Sequence, residues 1–147
     1  MKHVATLNLL SNRLAVLSEP VRVRILRVLD RTELSVGEVA QVVQLPQSTV
    51  SRHLKTLADD GWLIKRADGT AALYRMVLDD LPADARALWI TVRDTLAPSP
   101  ELDEDTRRLT SVLAERRSDS QGFFGRVAGA WDDVRSGLFG DKFTLQA

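Results

Sequence analysis

The chain has 147 residues, 44% of them hydrophobic and 27% charged, a balance typical of globular domains and unlike collagenous, low-complexity or disordered sequences. No apolar run approaches the ~20 residues that span a bilayer, and the opening MKHVATLNLLSNRL is too polar for a secretory signal, so a cytoplasmic protein with no membrane partner is expected. The absence of cysteine excludes disulfides, thiolate nucleophiles, iron–sulfur clusters and Cys-ligated zinc.

Basic and acidic side chains number 20 each, but they are unevenly placed. Residues 1–77 hold 11 basic and 7 acidic groups, whereas 78–147 hold 9 and 13. The split points to an anion-binding front half and an acidic back half.

Leu7, Leu10, Leu14 and Leu17 recur at spacings of three and four, which predicts a first helix with one apolar stripe. A second starts at Ser18, Glu19 and Pro20, where proline suits a first helical turn, and turns Val21, Ile25, Val28 and Leu29 to one side. Ser35 and Glu38 form an S-x-x-E capping box for a short third helix ending at Val43, with Val36, Val39, Ala40 and Val43 inward. After the tight connection Gln44, Leu45 and Pro46, a fourth helix buries Val50, Leu54 and Leu57 and presents Ser48, Ser51, Arg52 and Lys55 outward.

Beyond Gly61 the pattern turns to strands, Trp62 to Ala67 and Thr70 to Val77, around Asp68 and Gly69. An Asp-Gly pair between two β-prone runs predicts a hairpin with a type I′ turn, basic at Lys65 and Arg66. Leu81 to Ala97 reads as a fifth helix with Leu81, Leu88, Val92 and Leu96 on its stripe and Trp89 at the edge. Ser99 caps a sixth that has acidic residues from Glu101 to Asp105 at its start and Arg116 and Arg117 near its end, as the helix dipole favours. A last helix is expected from about Phe123 to Leu138, where Phe124, Val127, Ala128, Trp131, Val134 and Leu138 recur with helical spacing. The expected fold class is therefore mainly α with a small β-hairpin wing.

Two short helices joined by a tight turn, followed at once by a basic hairpin, describe a winged helix-turn-helix with C-terminal helices. Small donors such as Ser48, Thr49 and Ser51 allow close approach to a major groove, Gln47 and Arg52 reach base edges and Lys55 a phosphate. Lys65 and Arg66 would lie beside the backbone of the next groove, where counterion release supplies affinity. His53 reads first as a structural group, with phosphate contact as the alternative. Asp79, Asp80 and Asp84 read as loop and helix-start residues rather than cation ligands. Phe123, Phe124 and Trp131 read as packing rather than a ligand site.

The segment LSEPVRVRILRVLDRTELSVGEVAQVVQLPQSTVSRHLKTLADDGWLIKRADGTAALYRMV resembles the DNA-binding domain of the ArsR/SmtB family of bacterial repressors, over roughly residues 10–97. The resemblance implies a homodimer formed by the first and fifth helices, here through Leu7, Leu10, Leu14, Leu88, Val92 and Leu96. It also implies a palindromic operator in double-stranded DNA and repression relieved by a ligand, so a small-molecule effector is an expected partner. Where the family's thiol-using metal sensors carry C-V-C in the third helix, this sequence has Ser35, Val36 and Gly37. Residues 81–97 contain no histidine for the family's second metal site, and the chain's two histidines are His3 and His53. No metal site and no cofactor are expected.

The tail FFGRVAGAWDDVRSGLFGDKF resembles the segment that precedes the cofactor-binding core of class I S-adenosylmethionine-dependent methyltransferases. The expected organisation is a DNA-binding and dimerisation domain over 1–97 and a helical extension over 98–147, read as a methyltransferase-domain remnant. The expected function is a non-enzymatic transcriptional regulator. Its rivals are the regulatory front of a methyltransferase fusion and a protein-interaction module that has lost DNA binding.

Overall fold

The structure is a computed structural model that describes the backbone of residues 6–127 and the side chains of 6–118. In chain order it has α1 (Leu7–Leu17), α2 (Pro20–Leu29), β1 (Leu34–Ser35), α3 (Val36–Val43), α4 (Gln47–Asp59), β2 (Ile64–Asp68), β3 (Ala71–Arg75), a 3₁₀ turn (Leu78–Asp80), α5 (Ala83–Thr95) and α6 (Pro100–Val127). It is mostly helical with one small antiparallel sheet, a winged helix-turn-helix. No described helix is long and apolar enough to cross a membrane.

Local chemistry fixes the helix starts. The Thr6 hydroxyl accepts the Leu9 N–H at the head of α1, and the Glu19 carboxylate accepts the Val21 N–H just before Pro20 opens α2. At α3 the capping box is complete: Ser35 Oγ accepts from the Glu38 amide, while Glu38 accepts from the Ser35 amide at 2.9 Å. Gln44 ends α3 in the left-handed region at φ 60°, which turns the chain sharply into Pro46 and α4. Ser99 Oγ accepts the Leu102 N–H at the head of α6.

The sheet has the order β1-β3-β2. Beyond the expected hairpin, β1 adds a third strand through Leu34 opposite Tyr74 and Ser35 opposite Leu73. The hairpin turn also differs from the expected Asp68-Gly69 type I′. Asp68 pairs with Ala71, so Gly69 and Thr70 form the two-residue loop, and only Gly69 has positive φ, at 64°. Glycine at the first of the two loop positions is the requirement of a type II′ turn, the other turn whose twist suits a hairpin.

The core gathers around Ile25, Leu26 and Leu29 of α2, Val39, Val42 and Val43 of α3, and Val50, Leu54 and Leu57 of α4. Full burial of each Leu or Ile is worth ~1.5–3 kcal/mol before the cost of ordering, so these contacts hold α4 firmly on the body. In α3, Val42 joins the buried set and Val36 is only half-buried, because Val36 stands at the helix start beside β1.

Two apolar stripes differ from expectation. Trp89 is fully buried at the centre of α5's inner face, not at its edge, because Leu81, Ala85 and Trp89 form the buried row. Leu88 and Val92 are half-buried beside that row and Leu96 is exposed. On α1 the inner face carries Arg13 and Val16, whereas Leu7, Leu10 and Leu14 are turned outward.

The sixth helix was expected to stop near Arg117. It continues to Val127, a run of 28 residues, because neither glycine nor proline interrupts the chain between 101 and 121. The chain divides into two compact units, the first ending at Thr106 and the second starting at Arg107. Within the first unit, Arg24 donates to both carboxylate oxygens of the buried Asp105 at 2.9 Å, and Arg27 donates to the Leu102 carbonyl. The aromatic stripe from Phe123 to Leu138, and with it the methyltransferase-like tail, lies outside the described side chains.

Candidate nucleic-acid interface

Helix α4 has a polar outer face because its large apolar residues, Val50, Leu54 and Leu57, all fall on the buried side. Gln47, Ser48, Ser51, Arg52 and Lys55 are all exposed, and Thr49 is half-buried beside them. Gln47 lies against the start of α3, where a Cβ at position 37 would come within 3.3 Å of its Nε2; Gly37 makes that approach comfortable. Gln47 and Gly37 also line an open cleft of about 560 Å³ with Ser35, Glu38, Gln41 and Gln44.

The basic residues are not equivalent. Arg52 makes no ion pair among the described residues, so its five donors face solvent. Lys55 Nζ donates to Asp59 at 2.7 Å one helical turn on, a bond that raises the lysine's pKa. On the wing, Lys65 and Arg66 point to opposite faces of the hairpin, as successive strand residues must. Lys65 Nζ sits 5.8 Å from the centre of the Tyr74 ring on the opposite strand. Arg66 donates from Nε and Nη2 to the two carboxylate oxygens of Glu33, each at 2.7 Å, which raises its pKa. Arg75, two cross-strand pairs along and on the same face as Arg66, is exposed with no ion pair among the described residues, and is a basic wing residue missing from the expected set.

His53 is half-buried at the back of α4, where its Nδ1 lies 3.4 Å from Arg22 Nη1. Burial, then the positive charges of Arg22 and Arg52, push its pKa below the ordinary value. Arg22 meanwhile donates to the Val16 and Ala15 carbonyls at the end of α1.

Behind this surface lies a buried cation, Arg13, that no sequence pattern marks. Only 6% exposed, it donates from Nε to Asp84 at 2.8 Å and from Nη1 to the Asp60 carbonyl at the C-terminal end of α4. Its guanidinium lies 5.8 Å from the centre of the Trp62 ring, and Trp62 Nε1 donates to the Asp60 carboxylate at 2.9 Å. Burial would raise the Asp84 pKa, but the hydrogen bond and charge of Arg13, with the Ala85 and Asp84 amides, outweigh it and hold the carboxyl below its usual range. Among the described residues no group of three His, Cys, Asp or Glu side chains is placed to hold a metal ion.

An anchored helix-turn-helix with a polar outer face, followed by a three-stranded wing, defines the class of winged helix-turn-helix proteins. A helix-turn-helix domain family matches residues 17–65. The arsenical resistance operon repressor of Staphylococcus aureus is 35% identical over 75 residues, 49% of this chain and 72% of that protein. The repressor of the same name from Staphylococcus xylosus is 36% identical over 67 residues, and the match spans just under two thirds of its length, 64%. Among solved structures, the homodimeric winged helix-turn-helix DNA-binding domain of a possible ArsR-family regulator from Mycobacterium bovis matches at 27% identity and TM-score 0.52, covering 63% of this chain and 84% of that one. The transcriptional repressor BigR of Xylella fastidiosa matches at 29% identity and TM-score 0.52, covering 63% and 90%. The chain belongs to the ArsR family of winged helix-turn-helix regulators.

Proposed function

We propose that this chain is a homodimeric transcriptional repressor that binds a palindromic operator in double-stranded DNA. The observation that carries the reading is α4. Its apolar side is buried in the core, and its outer side offers Gln47, Ser48, Ser51, Arg52 and Lys55, with Thr49 beside them, to a major groove. The wing supplies Lys65 for the flanking backbone, and Arg66, on its other face, once Glu33 releases it. A dimer supplies two such helices, and the outward leucines Leu7, Leu10 and Leu14 on α1, with Leu88 and Val92 on α5 and Leu96 just past its end, form the apolar surface through which two copies join.

The protein acts in the cytoplasm without catalytic chemistry. Residues 1–97 bind DNA and dimerise, and 98–147 make up a C-terminal extension whose likeness to a methyltransferase start rests on sequence. A ligand that is not a thiophilic metal relieves repression, because the chain has no cysteine to ligate one. Selection of duplexes from a random pool, with sedimentation of the resulting complex, tests the reading. A palindromic consensus bound by two chains is the expected result, and enrichment of no sequence overturns it.

A further inference from the structure

The recognition helix ends in a Schellman turn: the Trp62 N–H reaches back to the Leu57 carbonyl, the Gly61 N–H to the Ala58 carbonyl, and Gly61 takes φ 86°. That turn leaves the Asp60 carbonyl free, at the negative pole of a helix with no basic residue in its own last turn. The missing cation comes from α1. Arg13 Nη1 donates to that carbonyl while its Nε holds Asp84, in the first turn of α5. One side chain therefore ties the end of α4 to α1 and α5, the helices proposed above to join two copies.

The geometry of the tie is particular. A guanidinium presents several N–H donors in one rigid plane, so a single group spans the Asp84 carboxylate and the Asp60 carbonyl while stacked near Trp62. Trp62 in turn donates to the Asp60 carboxylate, which fixes the residue that follows the helix from both its main chain and its side chain. An ammonium on a flexible stem has no such fork.

We infer that Arg13 is a positioning residue for operator recognition: it clamps the C-terminal end of α4 to the two dimerisation helices, so that the dimer's geometry sets the pose of the recognition helix. The inference rests on the DNA-binding reading proposed above. Random duplex is bound mainly through phosphate contacts that tolerate small changes of pose, whereas base contacts do not, so loss of the clamp falls on discrimination rather than on overall affinity.

The test uses the full chain with Arg13→Lys and, independently, Asp84→Asn. Each is checked first for cooperative melting and for the dimeric state, and Asp84→Asn answers the question if Arg13→Lys does not fold. The probes are the duplex that wild-type protein enriches from a random pool and a scrambled duplex of equal length. The expected result is at least a tenfold fall in the operator-to-scrambled affinity ratio, with scrambled binding within twofold of wild type. Without DNA, amide hydrogen exchange should quicken at the end of α4 and at Gly61 and Trp62, and stay unchanged in α3. An unchanged ratio in a folded, dimeric variant overturns the inference, as does an equal loss on both duplexes. If the wild-type protein enriches no sequence, the DNA-binding reading has failed, and the exchange pattern alone then decides whether Arg13 holds α4.

Discussion

Arg66 and Glu33 form a two-pronged ion pair, with both N···O distances 2.7 Å, between the wing and the residue just before β1. Glu33 thus takes two of the five Arg66 donors and neutralises the charge that Arg66 would offer to a phosphate. Replacement by glutamine removes the competing charge and keeps the side chain's size. Glu33→Gln should tighten binding severalfold on operator and random duplex alike and steepen the salt dependence by about one unit, the signature of one added phosphate contact. Fluorescence anisotropy titrations at three or more salt concentrations check this. An unchanged slope would show that Arg66 stays off the DNA backbone.

Arg52 and Lys65 should separate specificity from affinity. Arg52 makes no ion pair among the described residues on the exposed face of α4, and if it contacts a guanine bidentately, Arg52→Ala should cost about 1–3 kcal/mol on the operator with little change on random DNA. Lys65, on the wing, should when changed to alanine weaken all sequences similarly and lower the salt slope by about one. Equal losses on both duplexes for Arg52→Ala would reject its base-reading role.

The outward leucines of α1 give a direct handle on assembly. Leu14 is 50% exposed in the single chain, so Leu14→Glu leaves the core untouched. It should shift sedimentation from dimer to monomer and lower operator affinity by tenfold or more, because two half-sites are then no longer held together. Retention of the dimer would place the interface elsewhere.

Acid should destabilise the fold in two stages. His53 is held below its ordinary pKa of about 6.5, so as pH falls past that value the unfolded chain takes up a proton that the folded chain refuses, and stability drops. The drop ends once the pH passes the folded-state pKa. Asp84 is also held low, so its contribution is present above the unfolded carboxylate value of about 3.9 and is lost as pH falls through the lower folded value. Urea denaturation at a series of pH values should show the first stage vanish in His53→Gln while the second persists. Persistence of the first stage in that variant would assign it to another group.

What the sequence made legible was what local chemistry decides. Ser35 and Glu38 announce a capping box within four residues, and the spacing of Val50, Leu54 and Leu57 separates the inner from the outer side of α4 without any knowledge of the partner helices. The wing was placed correctly, but its turn fell one residue later, since Asp68-Gly69 and Gly69-Thr70 both put glycine where positive φ is needed. Strand β1 has two residues, too few to show alternation. Arg13 was illegible for a different reason. On a helical repeat it is one more polar residue among leucines, and its burial depends on Asp84, 71 positions away. The spacing of Leu88 and Val92 puts Trp89 at an edge, because they mark a row beside the one that Ala85, too small to stand out, shares with it.

The last prediction concerns inducers. The relatives from Staphylococcus are arsenical resistance operon repressors, which makes arsenite the first ligand to try. Arsenite and cadmium bind proteins tightly through converging thiolates, and this chain has none; at the third helix it carries Ser35, Val36 and Gly37. Zinc would need several imidazoles or carboxylates in one place, yet His53 lies beside the guanidinium of Arg22, and Asp84 is already held by Arg13. Arsenite, cadmium and zinc at tenfold excess over dimer should therefore leave the operator complex intact in a mobility-shift assay. Isothermal titration of the free protein should show no stoichiometric uptake. Release from the operator with one metal bound per chain would place a ligand set in this fold that carboxylates or imidazoles, rather than thiols, must supply.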